Sequence, residues 1–155
     1  MDIKVAIRES YLAKGLDEEQ LEPFYAMAEY RAYEDGEVIL QQFDLNKDLY
    51  ILASGQAHIT TGVGEPIGVI KAGMPIGEMA FLDDRPRSVS VISAGPSEAV
   101  FLPAGPLRQL LHDRDDIALK TLVNISRVLC ARLRSANNNI AALMAIDESE
   151  VHPIR

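Results

Sequence analysis

Residues 77–91 read GEMAFLDDRPRSVSV. Gly77 frees the backbone for a tight entry into the next turn. Glu78 comes after it and can accept hydrogen bonds from a sugar hydroxyl. The apolar turn Met79–Leu82 suits a short helix, whose first amides lack intrahelical acceptors and can point at an anion. The triplet Pro86-Arg87-Ser88 closes the segment. Arg87 offers a planar charged fork for phosphate oxygens, and Ser88 adds a hydroxyl donor beside it. Carboxylate, amides, guanidinium and hydroxyl in this order suit a small cyclic phosphate diester.

On either side the chain is punctuated by glycine, proline and aspartate. Residues 37–41, 48–53, 56–60, 66–70, 88–93 and 99–103 each read as strands, with turns at Gly36, Gly55, Gly64, Gly73 and Gly95. Short strands at regular intervals predict a mainly β fold, a β-roll of the jelly-roll kind with flanking helices. Before it, Asp17 and Gln20 have the spacing of a capping box. Leu21, Phe24 and Tyr25 then come with helical periodicity, which predicts a helix over 17–29.

After the strands, Pro106–His112 predicts a short helix with proline in its first turn. From Asp116 to Leu143 there is no glycine or proline. Leu122, Ile125, Leu129, Leu133, Ala136, Ile140 and Leu143 step along it by threes and fours. This predicts a long amphipathic helix with a near-heptad seam, the spacing of a helix–helix homodimer. Val123 and Val128 lie off the seam and mark a second face that packs on the roll. The chain thus reads as one domain: a helical segment 1–30, a roll 31–104 carrying the cassette 77–91, a hinge and long helix 105–143, and a tail 144–155 that is polar and frayed from Asp147.

The composition narrows the function. Fifteen basic and twenty-three acidic residues give a net charge of −8, which opposes nonspecific nucleic-acid binding. It also requires an anionic ligand to be held by local donors against an unfavourable overall field. Cys130 is the single cysteine, which excludes an internal disulfide framework. No window approaches the apolar run of about 18 residues that reads as a membrane helix, and the first residues carry no signal-peptide pattern. A cytoplasmic protein is expected.

The order helix, β-roll, hinge helix, long helix, with GEMAFLDDRPRSVSV inside the roll, resembles the cyclic nucleotide-binding domain family. That family includes the catabolite activator and the regulatory subunits of protein kinase A. The resemblance spans about 16–143. It rests on Gly77-Glu78-Met79-Ala80, the loop 81–85 and Pro86-Arg87-Ser88-Val89-Ser90-Val91, with Gly36, Gly55 and Gly73 in supporting positions. It implies that Glu78 accepts from the ribose 2′-hydroxyl, that Arg87 and Ser88 hold the exocyclic phosphate oxygens, and that the amides of Gly77, Met79, Ala80 and Val89 complete the cage. It further implies that Ile67 and Ile70, core residues on the strand before the cassette, pack the purine. Asn137 and Asn138 would meet the base edge. Ser88 after the arginine resembles members that prefer cyclic AMP, with cyclic GMP the other candidate. Three positions depart from the pattern. Phe43-Asp44 stands where many members carry Gly-Asp, Val89 where alanine is usual, and Ala136 where the catabolite activator has a hydroxyl residue.

The leading expectation is a binding module and not an enzyme: a stand-alone sensor, complete as a chain, that acts on an unidentified protein partner in trans, without DNA or membrane. About a dozen residues come after Leu143, too few for a helix-turn-helix. Glu78 and Arg87 could instead pair as a structural ion bridge. A second reading therefore keeps the roll as a nucleotide-free dimerisation module. A third is a metal-dependent jelly-roll enzyme, for which His58 offers only one ligand on its strand.

Overall fold

The computed structural model describes residues 1–62 and 65–150. The expected turn at Gly64 and the tail beyond residue 150 lie outside the described residues. Packing divides the chain into two compact units, Met1–Ile125 and Ser126–Arg155.

The first unit opens with α1 (Ile3–Arg8), a 3₁₀ turn (Tyr11–Ala13) and α2 (Glu18–Met27). The predicted capping box forms: the Gln20 amide donates to Asp17 Oδ1 at 2.9 Å and the Asp17 amide to Gln20 Oε1 at 3.2 Å. The helix ends earlier than its sequence suggests, because Ala28 turns extended (φ −76°, ψ 140°) and Glu29–Tyr33 forms β1. That strand escapes sequence reading because its side chains are largely polar and solvated, so no apolar alternation marks it.

Among the described residues, seven more strands come after it: β2 (Val38–Leu40), β3 (Leu49–Ser54), β4 (Gln56–Thr60), β5 (Gly68–Lys71), β6 (Pro75–Ile76), β7 (Ser90–Ser93) and β8 (Ser97–Leu102). Six of the eight match predicted strands within two or three residues; β6 is too short to leave a periodic signal. They form two four-stranded antiparallel sheets, β1-β8-β3-β6 and β2-β7-β4-β5. Ile39, Leu40, Leu52, Ala57, Ile70, Ile76 and Val91, drawn from both sheets, make the core of the roll. Each such burial is worth about 1.5–3 kcal/mol for a large aliphatic side chain. On β3, Leu49, Ile51 and Leu52 are all buried, so this central strand is covered on both faces. α1 packs against β3 and β8.

Between β6 and β7 lies α3 (Glu78–Asp83), the short helix expected after Gly77. α4 (Ala104–Asp113) and α5 (Asp115–Glu150) complete the order. α5 runs through Glu150, past the predicted end at Leu143. Its buried stripe is Ile117, Thr121, Asn124, Ile125 and Val128. Ile125 therefore leaves the predicted seam and joins the buried stripe, while Val123, expected on a packed face, is exposed. Leu122, Leu133, Ile140 and Leu143 of the seam remain exposed.

Candidate ligand site

Gly77 adopts φ +88°, the left-handed region where a side chain is strained. Space forbids one as well. A Cβ here would stand 2.5 Å from Arg87 Nη1 and 3.0 Å from the Asp48 carbonyl oxygen. The glycine thus starts α3 and lets the Arg87 side chain lie against the backbone. Asp84, also left-handed (φ +61°), ends the helix by donating its amide to the Ala80 carbonyl at 3.1 Å.

Arg87 is 3% exposed. Its Nη1 donates to the Gly77 carbonyl at 2.8 Å. Its Nη2 donates to the Asp48 carbonyl at 2.6 Å and to Asn46 Oδ1 at 3.0 Å. Nε is buried and has no acceptor. The backbone is tied down too: the Arg87 amide donates to the Asp44 carbonyl, and the Phe43 amide to the Arg87 carbonyl, each at 2.9 Å. Burial pulls the Arg87 pKa down, opposed by Tyr50 and by the carboxylates of Asp48 and Asp44. A guanidinium nonetheless stays charged in proteins. The fork is therefore a preorganised cation, with three protein oxygens on its Nη atoms and a buried N–H to spare.

The other predicted residues divide. Glu78 is 1% exposed and Ala80 is buried at the start of α3. Met79 and Ser88 are exposed neighbours, Ser88 Oγ lying 3.8 Å from Met79 Sδ. Val89 packs, partly buried, against the roll core. Ile70 belongs to that core. Ile67 does not: it is 56% exposed, lies just before β5, and donates its amide to the Ile59 carbonyl at 2.8 Å. Positions three apart on an extended chain point to opposite faces, so Ile67 and Ile70 cannot both face the core. Asn137 and Asn138 lie on α5 within the second unit and are exposed, as is Ala136.

Sequence reading missed the loop that holds the guanidinium. Asp44, Asn46 and Asp48 alternate along it; Asn46 Oδ1 accepts from the Asp48 amide at 2.8 Å, and Asp44 Oδ1 from the Asn46 amide at 3.2 Å. Short polar side chains at alternate positions are an Asx-turn signal that could have located it. Gln42 was missed as well. Its Nε2 donates to the Ser88 carbonyl at 3.0 Å, and its Oε1 accepts from the Gly62 amide at 3.1 Å. Among the described residues, no three His, Cys, Asp or Glu side chains gather as metal ligands.

The model of the cyclic nucleotide-binding domain matches residues 30–114, which takes in nearly every strand residue and the whole cassette. This chain belongs to the cyclic nucleotide-binding domain family. Among its relatives is the cyclic AMP receptor protein of Thermus thermophilus, 28% identical over 83% of this chain and 59% of that one. Glutaminase 1 of Bradyrhizobium diazoefficiens is 28% identical over 88% of this chain but only 22% of its own length. This cyclic nucleotide-binding domain thus spans less than two thirds of either relative. A solved cyclic nucleotide-binding domain from Methylobacillus flagellatus shares the fold, with a TM-score of 0.82, 24% identity, and 90% and 83% of the two chains covered. No helix among the described residues is long and apolar enough to cross a membrane.

Proposed function

We propose that this chain is a regulatory cyclic nucleotide receptor domain, with cyclic AMP as its preferred ligand, and that it acts without catalysis on a protein partner in trans. The observation that carries the reading is Arg87: a buried guanidinium held beside left-handed Gly77, with an Nε–H that lacks an acceptor. A buried unsatisfied donor costs about 1–3 kcal/mol, and a phosphate oxygen relieves that cost. Glu78, next along the backbone, then takes the ribose 2′-hydroxyl, and Ser88 a phosphate oxygen. The amides of Gly77, Met79, Ala80 and Val89 line the anion. Ile70, on the core side of β5, packs the purine.

Binding differs from catalysis here because the groups hold the ligand without activating a nucleophile toward it. Regulation then requires two arrangements with different affinity for the nucleotide. α5 supplies an output surface. Leu133, Ile140, Leu143 and Met144 are exposed at near-heptad spacing, and a helix of this kind gains its stability from packing its apolar face. A second copy of the chain is the partner that this seam fits.

Calorimetric titration with cyclic AMP and cyclic GMP tests the reading. Arg87→Lys keeps the charge but loses the fork, and is expected to weaken binding by about 2–4 kcal/mol. A competing reading, a roll that holds no nucleotide, draws on the protein oxygens already bound to Arg87 Nη1 and Nη2. Absence of binding heat with both nucleotides would favour it.

A further inference from the structure

We propose that Asp48 is a positioning residue through which Arg87 controls the start of α4. The inference rests on the nucleotide-receptor reading and adds to it the connection between ligand site and hinge. Pro103, the N-cap of α4, makes no side-chain capping bond. The first amide of the helix, Ala104 N–H, instead donates to Asp48 Oδ1 at 2.7 Å, across 56 residues of chain. The same residue's carbonyl oxygen receives Arg87 Nη2 at 2.6 Å. Asp48 is therefore bonded to the ligand-site cation through its main chain and to the hinge helix through its carboxylate.

Little in the loop lets these two ends move independently. The Asp48 amide donates to Asn46 Oδ1 at 2.8 Å, and that same oxygen receives Arg87 Nη2 at 3.0 Å. Asn46 Nδ2 in turn donates to Asp48 Oδ2. Arg87 thus braces the turn 46–48 from one side while α4 rests on it from the other. An anion that binds the spare Nε–H and draws the guanidinium toward itself weakens the Nη2 bonds to Asp48 and Asn46, removes the brace, frees the Asp48 carboxylate to shift, and loosens the first turn of α4. By linkage, a change in that cap alters nucleotide affinity in return. Buried Leu107 packs α4 independently of this cap, so losing the cap leaves the helix in place.

The test tracks hydrogen exchange at the Ala104 amide by NMR, with and without saturating cyclic AMP, while calorimetry reports binding. In the nucleotide-free protein, Asp48→Ala is expected to speed this exchange about fivefold, the scale of one lost capping bond. Asp48→Asn, which keeps an acceptor oxygen, is expected to restore most of the protection. Cyclic AMP is expected to change Ala104 exchange severalfold in the native protein and in Asp48→Asn, but not in Asp48→Ala, although all three bind it. An equal response in Asp48→Ala would overturn the proposal while leaving the receptor reading intact. Absence of binding heat in the native protein would overturn the receptor reading separately. A nucleotide-free arm tests the brace directly. Asn46→Ala, at an exposed loop position, and Arg87→Met should each speed Ala104 exchange, and neither should do so in an Asp48→Ala background. Unchanged exchange in Asn46→Ala, or an effect that persists without the Asp48 carboxylate, would sink the relay.

Discussion

Phe43 sits at φ +71° with 75% of its surface exposed. The turn thus has a backbone that glycine favours while carrying a bulky side chain, and its Asp44 carbonyl receives the Arg87 amide. The left-handed conformation costs a side chain about 1–2 kcal/mol, partly offset by the greater freedom that glycine has when unfolded. Phe43→Gly is therefore expected to be about 1 kcal/mol more stable than Phe43→Ala in urea unfolding. A less stable glycine variant would mean that the turn is not left-handed in solution. Tyr33 makes a second residue-scale prediction. Burial against the roll core raises its phenol from 10.0 to about 12, with Tyr50 adding to the shift. The folded state holds this proton longer than the unfolded chain. Its stabilising effect is therefore complete below pH 10.0 and disappears as pH rises to about 12. Tyr33→Phe should flatten the loss of stability across that window. At this scale the glycine departure at Phe43 was legible in the sequence, but the conformation was not, because a phenylalanine carries no signal for positive φ.

At the scale of elements, the best-read boundary is the start of α2, where short-range chemistry alone specifies the cap. Asp17→Ala should cost about 1 kcal/mol. Gln20 does more than its capping-box spacing reveals: Nε2 donates to Asp116 Oδ2 at 2.9 Å, and Oε1 also accepts from Lys120 Nζ at 2.8 Å. Gln20→Ala should accordingly cost more than Asp17→Ala, about 2 kcal/mol by denaturant unfolding, because it also unties the start of α5. Equal losses would mean that the long-range bonds contribute nothing. Arg114 and then Gln20 hold the Asp116 carboxyl well below its ordinary range. That contribution is present above the ordinary pKa of 3.8 and is lost only as pH falls far below it. The β-strands were legible where apolar residues cluster and illegible at β1, whose pairing with β8 joins Glu29 to Phe101 and Arg31 to Ala99. Such an edge strand is held by backbone pairing, which leaves little imprint on side-chain type.

For the whole molecule, the net charge of −8 means that an anionic ligand would have to be held by local donors, and Arg87 is the buried basic side chain among the described residues. The exposed seam of α5 makes the assembly prediction. Sedimentation should find a dimer, and Leu133→Lys with Ile140→Lys should weaken it by well over the ~10-fold expected for one buried interface contact. The circular dichroism of the roll should be unchanged; a native protein that sediments as a monomer would remove the homodimer. The sequence by itself determined the roll, the capped α2, the cassette with its glycine and arginine, and the long α5. These arise from local rules: turn residues, periodicity and caps act within a few positions of one another. Only the tertiary structure decided that Arg87 rests on Asn46 and Asp48, that Ile67 turns outward while Ile70 enters the core, and that Asp48 reaches Ala104. Those partners meet because two sheets close on a shared core, and no local pattern records which distant loop a buried side chain will find.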